Sequence, residues 1–283
     1  MSRLQQVAAR KAAMSTIVSL TSVFEGLASM RIAQTKNQVL QSQQFFDELW
    51  GMYSQIRVDN LFRFGRSSKE EVIEKKLFIV ITAEGGFSGD IDQKLIAEML
   101  KTYRPEQHDI IVIGHHGALQ LIQAGVIFKK YFALPSRDKN INVQPLVREV
   151  RKYKSTVVYY QTYVSLMVQN IKSIELNRAV QERGSQAAKV EDVISEATYI
   201  FEPSVIDVMA HLERSMMEIA LSQVILDSKL AQYASRFRAM SMANEKADEW
   251  FKDLTLQYNR TKRRTQDERL KEMINGLRKT RGA

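Results

Sequence analysis

After Pro203 the chain runs to Ala283 without another proline, and apolar side chains recur through that stretch in steps of four and three. The steps land on Leu226, Leu230, Tyr233, Phe237, Met240, Asn244, Ala247, Phe251, Leu254 and Tyr258, of which only Asn244 is polar. A stripe of this period with no helix breaker predicts one long helix bearing a coiled-coil seam. A helix from about residue 205 to 278 reaches roughly 110 Å at 1.5 Å per residue, far beyond what a small compact domain can cover. It needs a partner helix.

The other end of the chain supplies one. A matching register at Ile17, Leu20, Phe24 and Leu27 lapses and then resumes through Phe46, Leu49, Tyr53 and Ile56. Two such arms separated by a compact region most simply pack against each other. Between them lie Pro105, Pro135, Pro145 and most of the glycines, so the middle is built differently. There "KKLFIVITAEGG" and "DIIVIGHHG" are short apolar runs ending in glycine, each followed by a helical pattern ("DQKLIAEMLKTY" and "ALQLIQAG"); "STVVYYQTYVSL" is a third strand-like run. That rhythm is the one of βαβ units with a mainly parallel sheet. The expected fold class is α/β: a long antiparallel two-helix coiled coil from the N- and C-terminal helices plus a Rossmann-like α/β domain. Its parts are residues 1–64, 70–200 and 203–283.

Composition narrows the chemistry. With 45% apolar residues in 283, the chain can bury a core, and its net charge of +9 suits acidic partners. It has no cysteine, which removes disulfides, thiolate nucleophiles and cysteine-held zinc. No apolar run approaches the ~20 residues of a membrane span, so none is expected. The opening "MSRLQQVAARKAAMSTIVSL" carries Arg3, Arg10 and Lys11 with no acid before Glu25, as organellar leaders do, but its face continues into the long helix. Residues 260–283 hold Arg260, Lys262, Arg263, Arg264, Arg269, Lys271, Arg278, Lys279 and Arg281 against Asp267, Glu268 and Glu272. This is either a solvated tail or a binding tip.

Catalytic and metal sites are not expected. No glycine-rich loop leads into Lys and Ser or Thr; "EGGFSGD" reads as a tight strand-to-helix turn, with positive φ expected at Gly86 and Gly89 and with Ser88 and Asp90 expected as tolerant surface residues; and the pair His115–His116, like His108 and His211, lacks ligand spacing. Met209, Met216, Met217, Met240 and Met242 read as helix core. A basic coiled coil that binds nucleic acid would interleave aromatic residues with its charges, and residues 260–283 contain none.

Four motifs occur in order: "YIFEPS" (Tyr199–Ser204), "DS" (Asp227, Ser228), "RFRAM" (Arg236–Met240) and "LTLQYNR" (Leu254–Arg260). They resemble consecutive motifs of the gamma subunit of F-type ATP synthases. "VITAEGGFSGDID" is similar to that family's first strand and glycine turn, "VIGHHG" to its second, and "LTSVFEGLASMRIAQTKNQV" to its N-terminal helix. The resemblance covers nearly the whole chain and is strongest from residue 199 to 260.

The resemblance implies a central-stalk rotor: a coiled coil inside a ring of alternating alpha and beta subunits, and an α/β domain near a membrane rotor ring and an epsilon-type small subunit. It implies a non-catalytic chain without cofactor or metal, peripheral on the cytoplasmic face of a membrane or, with a processed leader, on an organellar inner membrane. It implies no nucleic-acid partner. The sequence also departs from the family. Lys262-Arg263 stand where Arg-Gln is usual, Gln266-Asp267 replace an Ile-Thr pair, and of two usual glutamates one falls on Arg269 and the other on Glu272. Val23-Phe24-Glu25-Gly26 replace Ala-Met-Lys-Met, and Glu84-Gly85-Gly86 replace Asp-Arg-Gly. The residues expected to meet the ring are therefore Phe24, Glu25, Asn259, Arg260, Lys262, Arg263, Asp267 and Glu272, the basic turn facing outward just past a seam that ends at Tyr258. The rewritten contacts leave two readings open, an ordinary synthase or a divergent ATP-driven motor.

Overall fold

The computed structural model describes residues 3–55, 73–135, 141–176, 202 and 204–281. Its elements are α1 (Arg3–Gln55), β1 (Ile73–Ile81), α2 (Ile91–Thr102), β2 (His108–Ile113), α3 (His115–Gln123), β3 (Lys130–Phe132), α4 (Gln144–Val150), β4 (Tyr153–Tyr163), β5 (Gln169–Glu175) and α5 (Val205–Arg281). The expected boundaries near residues 64–70 and 200–203, and most of the Tyr199–Ser204 motif, lie outside the described residues. The chain forms two compact units, Met1–Ala28 with Phe237–Ala283, and Ser29–Arg236.

In the second unit the sheet runs β3-β2-β1-β4-β5, all parallel except β5, which pairs antiparallel with β4. β1 is apolar without interruption from Leu77 to Ile81 because helices cover both of its faces. Leu77, Ile79 and Ile81 pack with Val147 and Val150 of α4 and with Met216, Leu221, Val224 and Ile225 of α5. Phe78 and Val80 face Leu95, Ile96 and Met99 of α2 and Leu121 of α3. The expected runs became β1, β2 and β4, and the helical patterns became α2 and α3. β3 has three residues and β5 is a largely exposed, polar edge strand, so neither carries an apolar run to be noticed. Of the methionines expected in the core, Met216 and Met240 are buried, whereas Met242 is exposed.

The strand order reverses between β1 and β4, and an open α/β sheet leaves its ligand crevice there, beyond the carboxyl ends of the strands. Here α5 lies across that end. Asp92, in the first turn of α2 and fully buried, accepts the Ala83 N–H at 3.3 Å and the Gln161 side-chain amide at 2.9 Å, and lies 2.8 Å from His116 Nδ1. Gln161, at the end of β4, accepts the Ser228 hydroxyl through Oε1, and Gln232 Nε2 donates to Ser228 Oγ at 3.0 Å. Lys229, only 2% exposed, donates to the Pro135 carbonyl at 2.6 Å. Ser235 donates to the Ser88 carbonyl at 2.6 Å. Arg236 donates to the carbonyls of Gly85 and Gly86, each at 3.3 Å, and to Ser88 Oγ at 3.1 Å. Burial lowers the Arg236 pKa, and the nearby Tyr233 and Asp92 side chains oppose that shift.

These bonds correct the reading of the glycine turn. Gly89 takes the positive φ expected of it (+66°), but Gly86 does not; the second positive φ belongs to Phe87, at +67°. Gly86 faces open space. Ser88 was expected to be a tolerant surface residue, yet it is 1% exposed because α5, distant in sequence, packs on it. Asp90 is exposed and pairs with Lys94 at 2.8 Å. Glu84, where the family's aspartate is usual, accepts the N–H groups of His115 (3.2 Å) and Leu134 (3.0 Å) and the Tyr131 hydroxyl (3.0 Å). Its longer arm ties the end of β1 to the segments after β2 and β3.

Candidate partner-binding surface

In the first unit α1 and α5 run antiparallel. Thr21 lies against Asn244, Lys11 Nζ sits 5.6 and 5.3 Å from the ring centres of Phe251 and Tyr258, and Arg3 and Val7 share a groove with Gln257 to Glu268. On α5 the half-buried or buried positions include Phe237, Met240, Asn244, Ala247, Phe251, Leu254, Tyr258, Thr261 and Thr265, which recur at steps of three and four. The seam thus follows the expected heptad and continues about two turns past Tyr258, where it was expected to end. The small Thr261 and Thr265 carry no apolar signal, so a hydrophobic count misses them.

The α1 register is a larger correction. The positions turned inward include Leu4, Val7, Lys11, Met14, Val18, Thr21, Glu25 and Ala28. Ile17, Leu20, Phe24 and Leu27, expected in the seam, are exposed by 44%, 51%, 36% and 47%. Two stripes with the same 3.5-residue period run side by side, one residue apart. The pairing takes the smaller, partly polar stripe because two helices approach closely over Thr21 and Ala28, while the bulky stripe would hold them apart. Apolar residues on both faces also explain why α1, over Arg3–Phe45, is long and apolar enough to cross a membrane by length and composition, where no such helix was expected. The expected resumption at Phe46, Leu49, Tyr53 and Ile56 lies outside the described side chains.

Across the seam the Thr21 hydroxyl donates to Asn244 Oδ1 at 2.9 Å. A single seam asparagine sets register at a cost in stability. Asn244→Leu is expected to raise the stability of the chain to urea by about 1 kcal/mol, since apolar burial of Leu in the seam outweighs the lost bond while the Thr21 hydroxyl keeps the Ile17 and Val18 carbonyls. A lower midpoint would show that Asn244 contributes stability to the pairing instead of register.

The structure spreads the expected contact residues over the outer surface of this coiled coil. Asn259, Arg260, Lys262, Arg263, Asp267 and Glu272 are all exposed, whereas Phe24 and Glu25 are split, Phe24 outward and Glu25 half-buried in the seam. Arg260 lines a groove of about 420 Å³ with Arg3, Arg264 and Glu268, and Arg264 Nε donates to Glu268 at 3.0 Å. Lys11, Ser15, Phe251 and Tyr258 line a neighbouring groove of about 360 Å³. Within the basic run Leu270, Met273, Ile274 and Leu277 are 46–64% exposed and share one helix face at spacings of three and four. The tip therefore presents an apolar stripe beside its charges.

The ATP synthase family model matches residues 3–278. The ATP synthase gamma chain of Cytophaga hutchinsonii is 21% identical over 98% of both chains, and that of Chlorobium phaeobacteroides is 23% identical over the whole of both. Among solved structures, a chain of the Euglena gracilis mitochondrial ATP synthase rotor superposes with a TM-score of 0.60 at 12% identity, covering 92% of this chain and 99% of that one. A chain of the Tetrahymena thermophila central stalk and c-ring gives 0.55 at 15% identity over 79% and 99%. With its family match running almost end to end and relatives of one name aligned over its full length, this chain belongs to the gamma-subunit family of ATP synthases.

Proposed function

We propose that this chain is the central-stalk rotor subunit of an F-type rotary ATPase, transmitting torque between a membrane rotor ring and a catalytic ring of alpha and beta subunits, with an epsilon-type small subunit beside it. The observation that carries this reading is α5. This single 77-residue helix gives Met216 to Ile225 to the sheet core of one unit and Phe237 to Thr265 to the coiled coil of the other. Relatives bearing the gamma-chain name over their whole length support the same reading. The chain itself is non-catalytic: the crevice in which an α/β sheet would hold a nucleotide is crossed by α5. It works peripherally, on the cytoplasmic face of the membrane. The catalytic ring responds because an asymmetric shaft contacts its subunits differently at each angle and so shifts their open and closed populations.

Tagged chain recovered from its own cells should bring a hexameric ATPase ring, and the purified chain alone should turn over no nucleotide. Recovery of nucleic acid instead of a ring overturns the reading. A ring without a membrane rotor identifies the divergent, ATP-driven motor that the rewritten polar positions also fit. Within the ring, Asn259, Arg260, Lys262 and Arg263, with Asp267, Glu272, Phe24 and Glu25, serve as shaft contacts. Exposed ion pairs, worth ~0.2 to 1 kcal/mol each, suit a part that must not be held at one angle. The double reversal Arg260→Glu with Arg263→Glu should lower the ATP turnover of the assembled complex several-fold and leave the thermal midpoint of the free chain within 2 °C, about ±0.5 kcal/mol for surface changes in a chain of this size. Normal turnover and rotation in that variant make the turn a solvated face.

A further inference from the structure

We infer that the crevice at the β1/β4 switch point has become a torque-resisting joint, in which Lys229 and Arg236 are positioning residues that lock α5 to three loops of the sheet. This inference rests on the rotor reading. Two observations carry it. First, the anchors converge from separate places: Pro135 after β3, Gln161 at the end of β4, and Gly85, Gly86 and Ser88 after β1. All of them are met by Ser228 to Arg236, little more than two turns of one helix. Second, the contacts are polar and directional in a place where apolar packing would suffice to bury the helix. A greasy helix can turn about its axis or slide by a ridge, whereas donors fixed on separate carbonyls resist both.

Resistance to twist is what a torque-bearing connection needs and what a ligand pocket does not. In a pocket the loops after β1 and β4 open and close around a guest. Here Arg236 holds the backbone of the β1 loop from Gly85 to Ser88, the positive φ of Phe87 and Gly89 shapes that loop around the helix, and Asp92 ties the loop's far end through Ala83 to Gln161. Removing one long donor should loosen the joint without emptying the core beneath it.

The test uses the complex that co-purifies with the tagged chain. The chain lacks cysteine, so Glu106→Cys, on the exposed surface after α2, gives one attachment point for a bead on the sheet domain. At each catalytic dwell Arg236→Met and Lys229→Met should raise the variance of the bead angle at least twofold, with unloaded ATP turnover unchanged. Arg236→Lys, which keeps a donor, should fall between wild type and Arg236→Met. Unchanged variance in both methionine variants overturns the inference. Where Arg236→Met does not assemble, Ser88→Cys with Ser235→Cys in that background replaces the lock with a disulfide: recovered stiffness on oxidation supports the joint, and floppiness in the oxidised complex overturns it. A wild-type bead that never turns with ATP removes the rotor reading and the load with it. Amide exchange of Ala83 to Gly89 in the free chain is separate from rotation: at least tenfold faster exchange in Arg236→Met supports the lock, and equal exchange overturns it.

Discussion

Gly114→Ala should unfold the sheet domain or leave it barely stable. A Cβ at this position would lie 2.1 Å from the Thr82 carbonyl oxygen and 2.7 Å from its carbon, and the residue sits at φ +101°. Neither neighbour can yield, because Thr82 N–H bonds the Ile113 carbonyl at 2.8 Å and Gly114 N–H bonds the Phe132 carbonyl at 3.0 Å, tying β1, β2 and β3 at that point. Backbone strain and overpacking each cost about 1 to 3 kcal/mol, so their sum reaches the lower part of the 5 to 15 kcal/mol that holds a typical domain together. Gly125 is the control. It also has a positive φ, +69°, but faces open space, and Gly125→Ala should cost only the ~1 to 2 kcal/mol of a left-handed residue. Equal urea midpoints for the two variants would show that the close approach at Thr82 relaxes freely.

Asp92→Ala should be the second large effect, destabilising the sheet domain by about 3 to 5 kcal/mol, the usual result of removing one member of a buried charged network. The carboxylate is fully buried and serves three partners on different elements: Ala83 at the end of β1, Gln161 on β4 and His116 on α3. Without it the Ala83 N–H and one Gln161 donor are buried unpaired, and Gln161 is then free to turn away from Ser228. Asp92→Asn keeps the shape and one acceptor and should cost less than half as much. Amide exchange of Ala83, read alongside the thermal midpoint, separates loss of this network from a general loosening of α2. If alanine and asparagine cost the same, the charge and not the hydrogen-bond geometry is what matters.

Much of this protein was legible in its residue order. Helix α5 and its seam follow from a proline-free stretch and a 3.5-residue stripe, because on α5 one apolar stripe dominates and a heptad repeat buries the face it marks. The strands β1, β2 and β4 follow from apolar runs that only a sheet covered on both faces can use. The outward placement of Asn259, Arg260, Lys262 and Arg263 follows from the same heptad count.

What the order of residues left open was every choice between equivalent patterns and every contact between distant segments. On α1 two stripes one residue apart have the same period, and only the approach distance of the partner helix selects Val18, Thr21, Glu25 and Ala28 over Ile17, Leu20, Phe24 and Leu27. Ser88 looks like any turn serine until α5 arrives from 147 residues away and buries it. Local periodicity determines which faces are apolar, since that is a property of neighbouring residues. Which face is covered, and which loop becomes a joint, was decided by tertiary packing, because hydrogen bonds such as those of Arg236 and Gln161 join segments with no sequence signal in common.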